Sequence, residues 1–300
     1  MKKFFAALFS LALCAPFFSF DFYNGNEVNL RLSEFANGIN ETLPVAATQQ
    51  NVYSSAWIGK VFPSAPPHFA IGVEAGVTKL NMEPLKQMAQ MFSVTGLPSL
   101  MVFPTLTANA RVGGLFLPFD VGFSAMGMDL SKLDSIADGL GIQFFNIGGD
   151  VRWALLKGDG PLPQISLGAG YYYMGGKVSY NKDGLYARLN YGTHTAFAQA
   201  QISKTLLFFT PYVGFRAITC KSSSDWQWFV TPQRIAQSPY YSGNVFAGQG
   251  NDSLKWFDKV MTQVYGGFGL NFGFFALNFC ASYEFRYQLW GGDFSIRFQM

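Results

Sequence analysis

The sequence predicts an all-β protein: a membrane-spanning, up-and-down antiparallel β-barrel with a helical or irregular segment at its amino terminus. Apolar and polar residues alternate along many short stretches, and aromatic residues (17%) outnumber charged ones (13%). Because successive side chains of a strand point to opposite faces, each stretch has one apolar and one polar face. Short connections also alternate with long ones. Together these patterns are typical of a barrel with lipid outside and a polar lumen inside.

The alternation is clearest near the carboxyl terminus. Leu277, Phe279 and Ala281 share one face of a predicted strand, and Asn278 and Cys280 share the other. The chain fits about ten strands, with about eight to twelve as the acceptable range. An even number places every short turn, and both ends of the barrel, on the periplasmic side. The predicted strands are residues 67–78, 105–113, 119–128, 143–155, 164–176, 193–203 and 208–220, with three more between 259 and 300.

Three segments follow from these patterns: a signal peptide at residues 1–15, an amino-terminal segment at 16–66 and the barrel at 67–300. Lys2 and Lys3 precede an apolar run, as in secretory signals. Cleavage after Ala15 and lipidation at Cys14 are both open. The two lysines supply most of the net charge of +3, so electrostatics give no argument for binding nucleic acid.

The amino-terminal segment has helical spacing that ends, on this interpretation, at Pro44. Two placements are open: a periplasmic helix at the barrel rim, or a plug inside the lumen. A second short helix is predicted at residues 82–92. The apolar residues of the candidate plug are Val28, Leu32, Phe35, Ile39 and Leu43.

The polar face predicts the residues that line the lumen. Together with Asp293, the inward charges number five of each sign, and a last hairpin closed around Leu289-Trp290 would set Glu284 opposite Arg297. These charges either neutralise each other in a filled interior or form a constriction that sorts solutes. Most strand glycines fall on the same inward face, which leaves room for the plug, water or a ligand. The predicted lining residues are Glu74, Asn109, Arg111, Asp120, Asp150, Arg152, Arg216, Glu284, Arg286 and Arg297.

No enzyme, cofactor or metal site is predicted. The chain has two histidines, of which His194 has Asp183 in the preceding predicted loop, without a serine motif beside them. Cys220 and Cys280 fall on strands separated by another strand, beyond disulfide reach, and are predicted to be free. Aromatic residues of the long predicted loop form either a surface-binding patch or anchors at the lipid headgroups. They are Trp226, Trp228, Tyr240, Tyr241 and Trp256.

The ending from Gly292 to Met300 resembles the assembly signal of bacterial outer-membrane β-barrel proteins, although it closes on Met300 instead of phenylalanine. The chain is also similar to uncharacterised spirochaete outer-membrane proteins and, loosely, to long-chain fatty-acid outer-membrane transporters. The resemblance implies the bacterial outer membrane as location, and its lipids and the barrel-assembly machinery, through the last strand, as partners. The predicted function is passage of a small solute, hydrophobic solutes included. The alternative is a closed structural or adhesin-like surface-binding barrel.

Overall fold

A computed structural model describes residues 25–49, 51–58, 68–92, 100–113, 117–129, 139–158, 160–237 and 246–299. The predicted signal peptide, Cys14, Tyr240 and Tyr241 lie outside these residues. The strands are β1 (His68–Asn81), β2 (Leu100–Gly113), β3 (Phe119–Asp129), β4 (Leu140–Lys157), β5 (Gln164–Lys182), β6 (Leu185–Ser203), β7 (Phe209–Val230), β8 (Ala247–Leu254), β9 (Met261–Phe272), β10 (Phe275–Glu284) and β11 (Leu289–Gln299). The helices are α1 (Gly25–Thr48), α2 (Glu83–Met91) and α3 (Pro232–Gln237).

Ten of these strands close into an antiparallel barrel, which confirms the predicted fold class. The ring closes where β1 pairs with β11. Strand β7 pairs with β6 on one side and with β9 on the other. Among the described strands, β8 pairs only with the far end of β7, from Ser222 to Phe229. The short connections, such as the one between Phe272 and Phe275, share one end of the barrel with Gln299. The end with the long connections is the outer end in barrels of this kind.

The barrel exterior is apolar. Exposed side chains such as Ile71, Phe123, Ile147 and Phe215 cover it, each more than 45% accessible. In water so large an apolar surface would be unfavourable, and in lipid it is the preferred surface. No helix among the described residues has the length and apolar character needed to cross a membrane.

Strands β5, β6 and β7 are longer than the sequence patterns predict, with 19, 19 and 22 residues. The loop predicted between strands 164–176 and 193–203 is instead a β-hairpin, closed by Asp183 and Gly184 with φ of 51° and 79°. Positive φ at both positions is the signature of a type I′ turn. The predicted loop at 221–258 contains the end of β7, helix α3 and β8. A crossing strand needs only about 9–11 residues, so these strands project past the membrane.

A row across the sheet marks the outer edge of the lipid-facing band. Tyr173, His194 and Lys221 pair across β5, β6 and β7 with their side chains outside. Towards the short turns, the outward residues of β7 are apolar, as at Phe215. Above the row the pattern inverts: Asp225 is exposed and Trp226 is buried inside. We call the part above this row, with α1 and α2 packed inside it, the outer head.

Helix α1 lies inside the barrel at its outer end and packs against α2 and strands β5 to β8. All five predicted apolar residues of α1 are buried in one cluster with residues such as Met88, Tyr180, Leu189 and Trp228. Pro44 does not end the helix as expected; α1 continues to Thr48. A proline removes one helical hydrogen bond, and the surrounding packing maintains the helix despite that loss. The outer head therefore has a core like that of a soluble protein.

Candidate functional site

The candidate site is the inner half of the lumen, which residues 51–58 fill; we call these residues the lumen segment. The chain enters this half at Gln49, whose amide donates to Ser282 Oγ (2.5 Å) and accepts from Thr78 Oγ1 (2.9 Å). It leaves near the β2–β3 turn, where Ile58 N–H donates to Asp120 Oδ2 (3.0 Å). The segment thus runs from the outer head to the end of the barrel that carries the short turns.

A four-residue ion cluster forms one wall of this half. Arg111 Nη2 contacts both carboxylate oxygens of Asp150 at 2.7 Å, and its Nη1 donates to Asp120 at 2.5 Å. Arg152 donates to both oxygens of Asp120, at 2.9 and 2.7 Å. All four side chains are buried. Asn51 Nδ2 donates to Asp150 at 2.7 Å, so the lumen segment completes the cluster.

Tyr53 is the centre of the lumen segment. The guanidinium of Arg297 lies 3.7 Å from its ring centroid, with those of Arg111 and Arg152 at 4.8 and 5.6 Å. Its hydroxyl donates to Asn109 Oδ1 (3.2 Å). Arg297 also donates to Glu74 Oε2 (2.8 Å). Three buried cations around one ring form cation–π contacts that gain strength from the absence of bulk water.

Two glycines make room for the lumen segment. A β-carbon at Gly122 would overlap the Asn51 amide and the Arg111 guanidinium, and one at Gly269 would overlap Ser54. The space that the inward glycines provide is occupied here by the chain itself. On the described residues, the lumen contains a folded segment at this level and not an open channel.

Arg216, Glu284 and Arg286 do not form the predicted balanced set. Arg216 is buried, donates to the Gln199 and Gln263 amides, and stacks on Tyr265. Glu284 is buried but accepts the backbone N–H groups of Arg286 and Tyr287 (2.8 and 2.7 Å), so it caps the outer turn. Arg286 is exposed in that turn, outside the lumen.

The last hairpin also has a different register from the predicted one. Glu284 pairs with Leu289, and Arg297 pairs with Ala276, because the turn occupies the residues between 284 and 289. The observed turn comes earlier in the chain than the predicted one, so the partner of Glu284 moves eight positions along β11, from Arg297 to Leu289. Arg297 therefore meets Glu74 on β1 in place of Glu284.

The aromatic residues that were predicted to lie in a surface loop are mostly buried in the structure. Trp226 and Trp228 are not in a surface loop: they lie on β7, buried 94% and 98%, and face α1. Asn29 Oδ1 accepts a hydrogen bond from Trp228 Nε1 (2.9 Å). Trp256 is half-buried in the connection after β8. The two tryptophans are core residues of the outer head because the polar and apolar faces exchange above the membrane.

The two histidines lie apart. His194 faces outward and contacts Tyr171 Oη through Nδ1 at 2.5 Å, whereas Asp183 is at the far tip of the β5–β6 hairpin. His68 is buried at the start of β1. Cys220 and Cys280 are free and buried. No group of three or more His, Cys, Asp or Glu side chains is placed to hold a metal ion in the part of the chain that the structure describes.

The outer face carries a cleft of about 690 Å³ between α1, α2 and the outer ends of β1 and β11. Its lining combines both charges with amides, and includes Glu34, Asn37, Glu41, Lys79, Gln87 and Tyr287. Glu41 pairs with Lys259 at 3.3 Å. Burial raises the pKa of Glu41 above its ordinary value, against the opposing effect of Lys259. We call this feature the outer cleft.

A closed antiparallel ring, an apolar belt outside and buried ion pairs inside are the requirements for crossing a bilayer with strands. The chain is a membrane-spanning antiparallel β-barrel protein, closed by ten strands. No protein-family model matches the sequence, and no curated protein matches it.

Solved structures with similar barrels include the Escherichia coli outer-membrane protease OmpT, with 9% identity over 78% of this chain and 96% of that one, and a TM-score of 0.44. The translocator domain of the Neisseria meningitidis autotransporter NalP is 8% identical over 80% and 91%, with a TM-score of 0.40. A major outer-membrane protein of Thermus thermophilus is 9% identical over 79% and 100%, with a TM-score of 0.35. At these values the likeness carries no argument about activity, so function is inferred from this barrel's own residues.

Residues of the lumen segment were not among the predicted site residues. Asn51, Tyr53 and Ser54 have neither helical nor strand periodicity, and nothing in their local sequence indicates burial. The indirect signal was the excess of inward glycines, which predicted a space but not its occupant.

Proposed function

We propose that this outer-membrane barrel is closed at rest and works as a binding platform on the outer surface. The observation that carries the proposal is the hydrogen bonding of the lumen segment to strands on all sides of the barrel. Asn278 and Arg297 donate to the Val52 carbonyl, and Gln201 donates to the Tyr53 carbonyl (2.7 Å). Ala56 N–H donates to Ser203 Oγ (2.9 Å). Among the residues that the structure describes, a backbone bonded to opposite walls obstructs the lumen at this level.

The outer head supports a role outside the cell. Strands β5 to β7 project about eight or more residues beyond the length needed for crossing, roughly 20 Å along a tilted strand. Their inner faces pack on α1 and α2 in one apolar core. The outer head presents the outer cleft, whose carboxylates, amides and tyrosine suit a small polar solute or the polar part of a partner.

Conductance in planar bilayers tests whether the barrel is closed. We expect the intact mature protein to give no steady channels, because the lumen segment blocks ions. A variant lacking residues 25–58 should give channels that stay open. Its folding is checked first: a folded barrel resists unfolding in detergent until the sample is heated. Steady channels from the intact protein would contradict the proposal.

Gated passage of a small solute is the second candidate function, and the glycines beside the lumen segment favour it. If the segment moved, the walls at Gly122 and Gly269 would leave a passage lined by the ion cluster. Brief, full-sized openings in the intact protein, equal in conductance to those of the deletion variant, would favour gating over a permanently closed barrel.

Filling the outer cleft tests the platform. Asn37→Trp on α1 is expected to occupy the cleft and to abolish binding of small polar solutes. Asn181→Trp, at the exposed tip of β5, is the matched control and should leave binding unchanged. The measurement is saturation-transfer NMR on detergent-solubilised protein with a panel of saccharides and amino acids. Equal binding by both variants would locate recognition elsewhere.

A further inference from the structure

The seam of the barrel, where the last strands meet the first, brings four oxygen-bearing side chains together. Asn278 on β10 pairs directly with Ser295 on β11, and Ser295 pairs with Glu74 on β1. Asp293 lies two residues before Ser295 on the same inward face. Directly paired residues have β-carbons about 4.5–5.5 Å apart, and the concave wall directs their side chains towards one another.

Five oxygen atoms of this group have no nitrogen or oxygen hydrogen-bond partner among the residues that the structure describes, although the Cys280 thiol lies across the strand pair from Asp293. They are both carboxylate oxygens of Asp293, Glu74 Oε1, Asn278 Oδ1 and Ser295 Oγ. Asp293 is 92% buried, and the other three side chains are 98% buried or more. A buried charged carboxylate without a partner is strongly unfavourable, so a group of this kind either binds a counterion or holds a proton.

The nearby arginines direct their hydrogen bonds to other groups, and Arg297 Nε has no partner among the described residues. Arg297 donates to the other oxygen of Glu74 and to the Val52 carbonyl. Arg216 directs its bonds to Gln199 and Gln263 and stacks on Tyr265. Since Arg286 lies outside the lumen, the described inward-facing strand residues include four arginines for five carboxylates, which are Glu74, Asp120, Asp150, Glu284 and Asp293.

We propose that Glu74, Asp293, Ser295 and Asn278 bind a hard cation, Ca²⁺ or Na⁺, at the seam. Oxygen-only ligands with mixed carboxylate, amide and hydroxyl character are the type that these ions take. Gly76 lies directly opposite Asp293, and Thr105 Oγ1 lies close to the position that a β-carbon at Gly76 would occupy. The site has two carboxylate ligands and two neutral oxygen ligands. It therefore does not belong to the groups of three or more His, Cys, Asp or Glu side chains, which the described residues do not form.

The lumen segment completes the geometry of this site. The Val52 carbonyl accepts from Asn278 Nδ2 (3.2 Å) and from Arg297. These bonds leave Asn278 Oδ1 and Glu74 Oε1 without other partners among the described residues. The cation therefore binds the filled barrel more tightly than an empty one, and stabilises it by that difference.

Thermal unfolding at constant ionic strength tests the proposal. The purified protein is treated with chelator, then titrated with CaCl₂ or NaCl against a choline chloride background. We expect the unfolding midpoint to rise by several degrees in a saturable way with at least one of the two ions. Asp293→Asn should abolish the rise and be as stable without cation as the wild type with it, because its side chain is neutral. Asp183→Asn, in an exposed turn, should retain the full rise.

A second variant and a direct binding probe distinguish loss of the cation site from misfolding. Ser295→Ala keeps every charge and should shift the titration to higher cation concentration. Terbium(III), excited through Tyr212 and Tyr265 next to the site, should give emission that Asp293→Asn loses. A midpoint independent of both ions, or equal responses from Asp293→Asn and Asp183→Asn, would overturn the proposal in favour of a proton or ordered water at Asp293.

Discussion

Replacing Asp120 by asparagine is expected to lower the free energy of unfolding by about 3–5 kcal/mol, the usual loss when one partner of a buried ion pair is removed. Asp120 accepts bonds from Arg111 and Arg152 and from the Ile58 N–H, and it is completely buried. Its neutralisation leaves two guanidinium groups to share one carboxylate, Asp150. The measurement is urea-induced unfolding in lipid vesicles, followed by tryptophan fluorescence.

Asp183→Asn provides the matched control for this prediction. Asp183 is exposed and has a φ of 51°, a conformation that asparagine tolerates well. This variant should unfold within about 0.5 kcal/mol of the wild type, as is usual for surface substitutions. If Asp120→Asn behaved like Asp183→Asn, the ion cluster would not contribute to holding the lumen segment and the wall together.

Replacing Phe35 by alanine is expected to lower the free energy of unfolding by about 3–5 kcal/mol, as for other large-to-small changes in cores. Phe35 is 99% buried on α1, against Leu32 and Leu85 and the inner faces of β5 and β6. The cavity left behind would loosen α1 within the outer head. Unfolding in urea measures the loss, and protease digestion of intact vesicles measures the loosening.

Leu30→Ala on the same helix is the comparison for Phe35→Ala. Leu30 is 49% exposed, so its truncation removes little packing, and alanine is the better helix former. Its free energy of unfolding should remain close to that of the wild type. A loss as large as that of Phe35→Ala would mean that the two faces of α1 are buried alike, which the described packing does not allow.

The sequence was sufficient to predict the barrel and the face on which most residues lie. The alternation predicts which residues of a strand face inward, and this prediction does not depend on where the strand begins or ends. Arg111, Asp150 and Arg216 therefore face inward as predicted. Arg286 was misplaced because the alternation does not indicate where a strand stops. The turn lies at 285–288, earlier than the predicted turn around Leu289-Trp290, which removes Arg286 from the lumen and changes the partner of Arg297.

The outer head was missed for a different physical reason. Outside the membrane the apolar face of a strand turns inward, so the residues around Trp226 follow the opposite rule from those around Phe215. A search for one continuous pattern finds a break there and interprets it as a loop. The Asp183-Gly184 pair, flanked by alternating residues, was the available signal for a hairpin.

The pairing of β1 with β11 bears on how the molecule is assembled. The lumen segment is connected to β1 at the periplasmic end and to α1 at the outer end, so the chain crosses the bilayer through its own ring. A ring that closed first would have to admit α1, a helix about 10 Å across, through its interior. The route without threading is one in which the strands curl around the amino-terminal part before the first and last strands join. Joining them then becomes the step that commits the protein to its closed form.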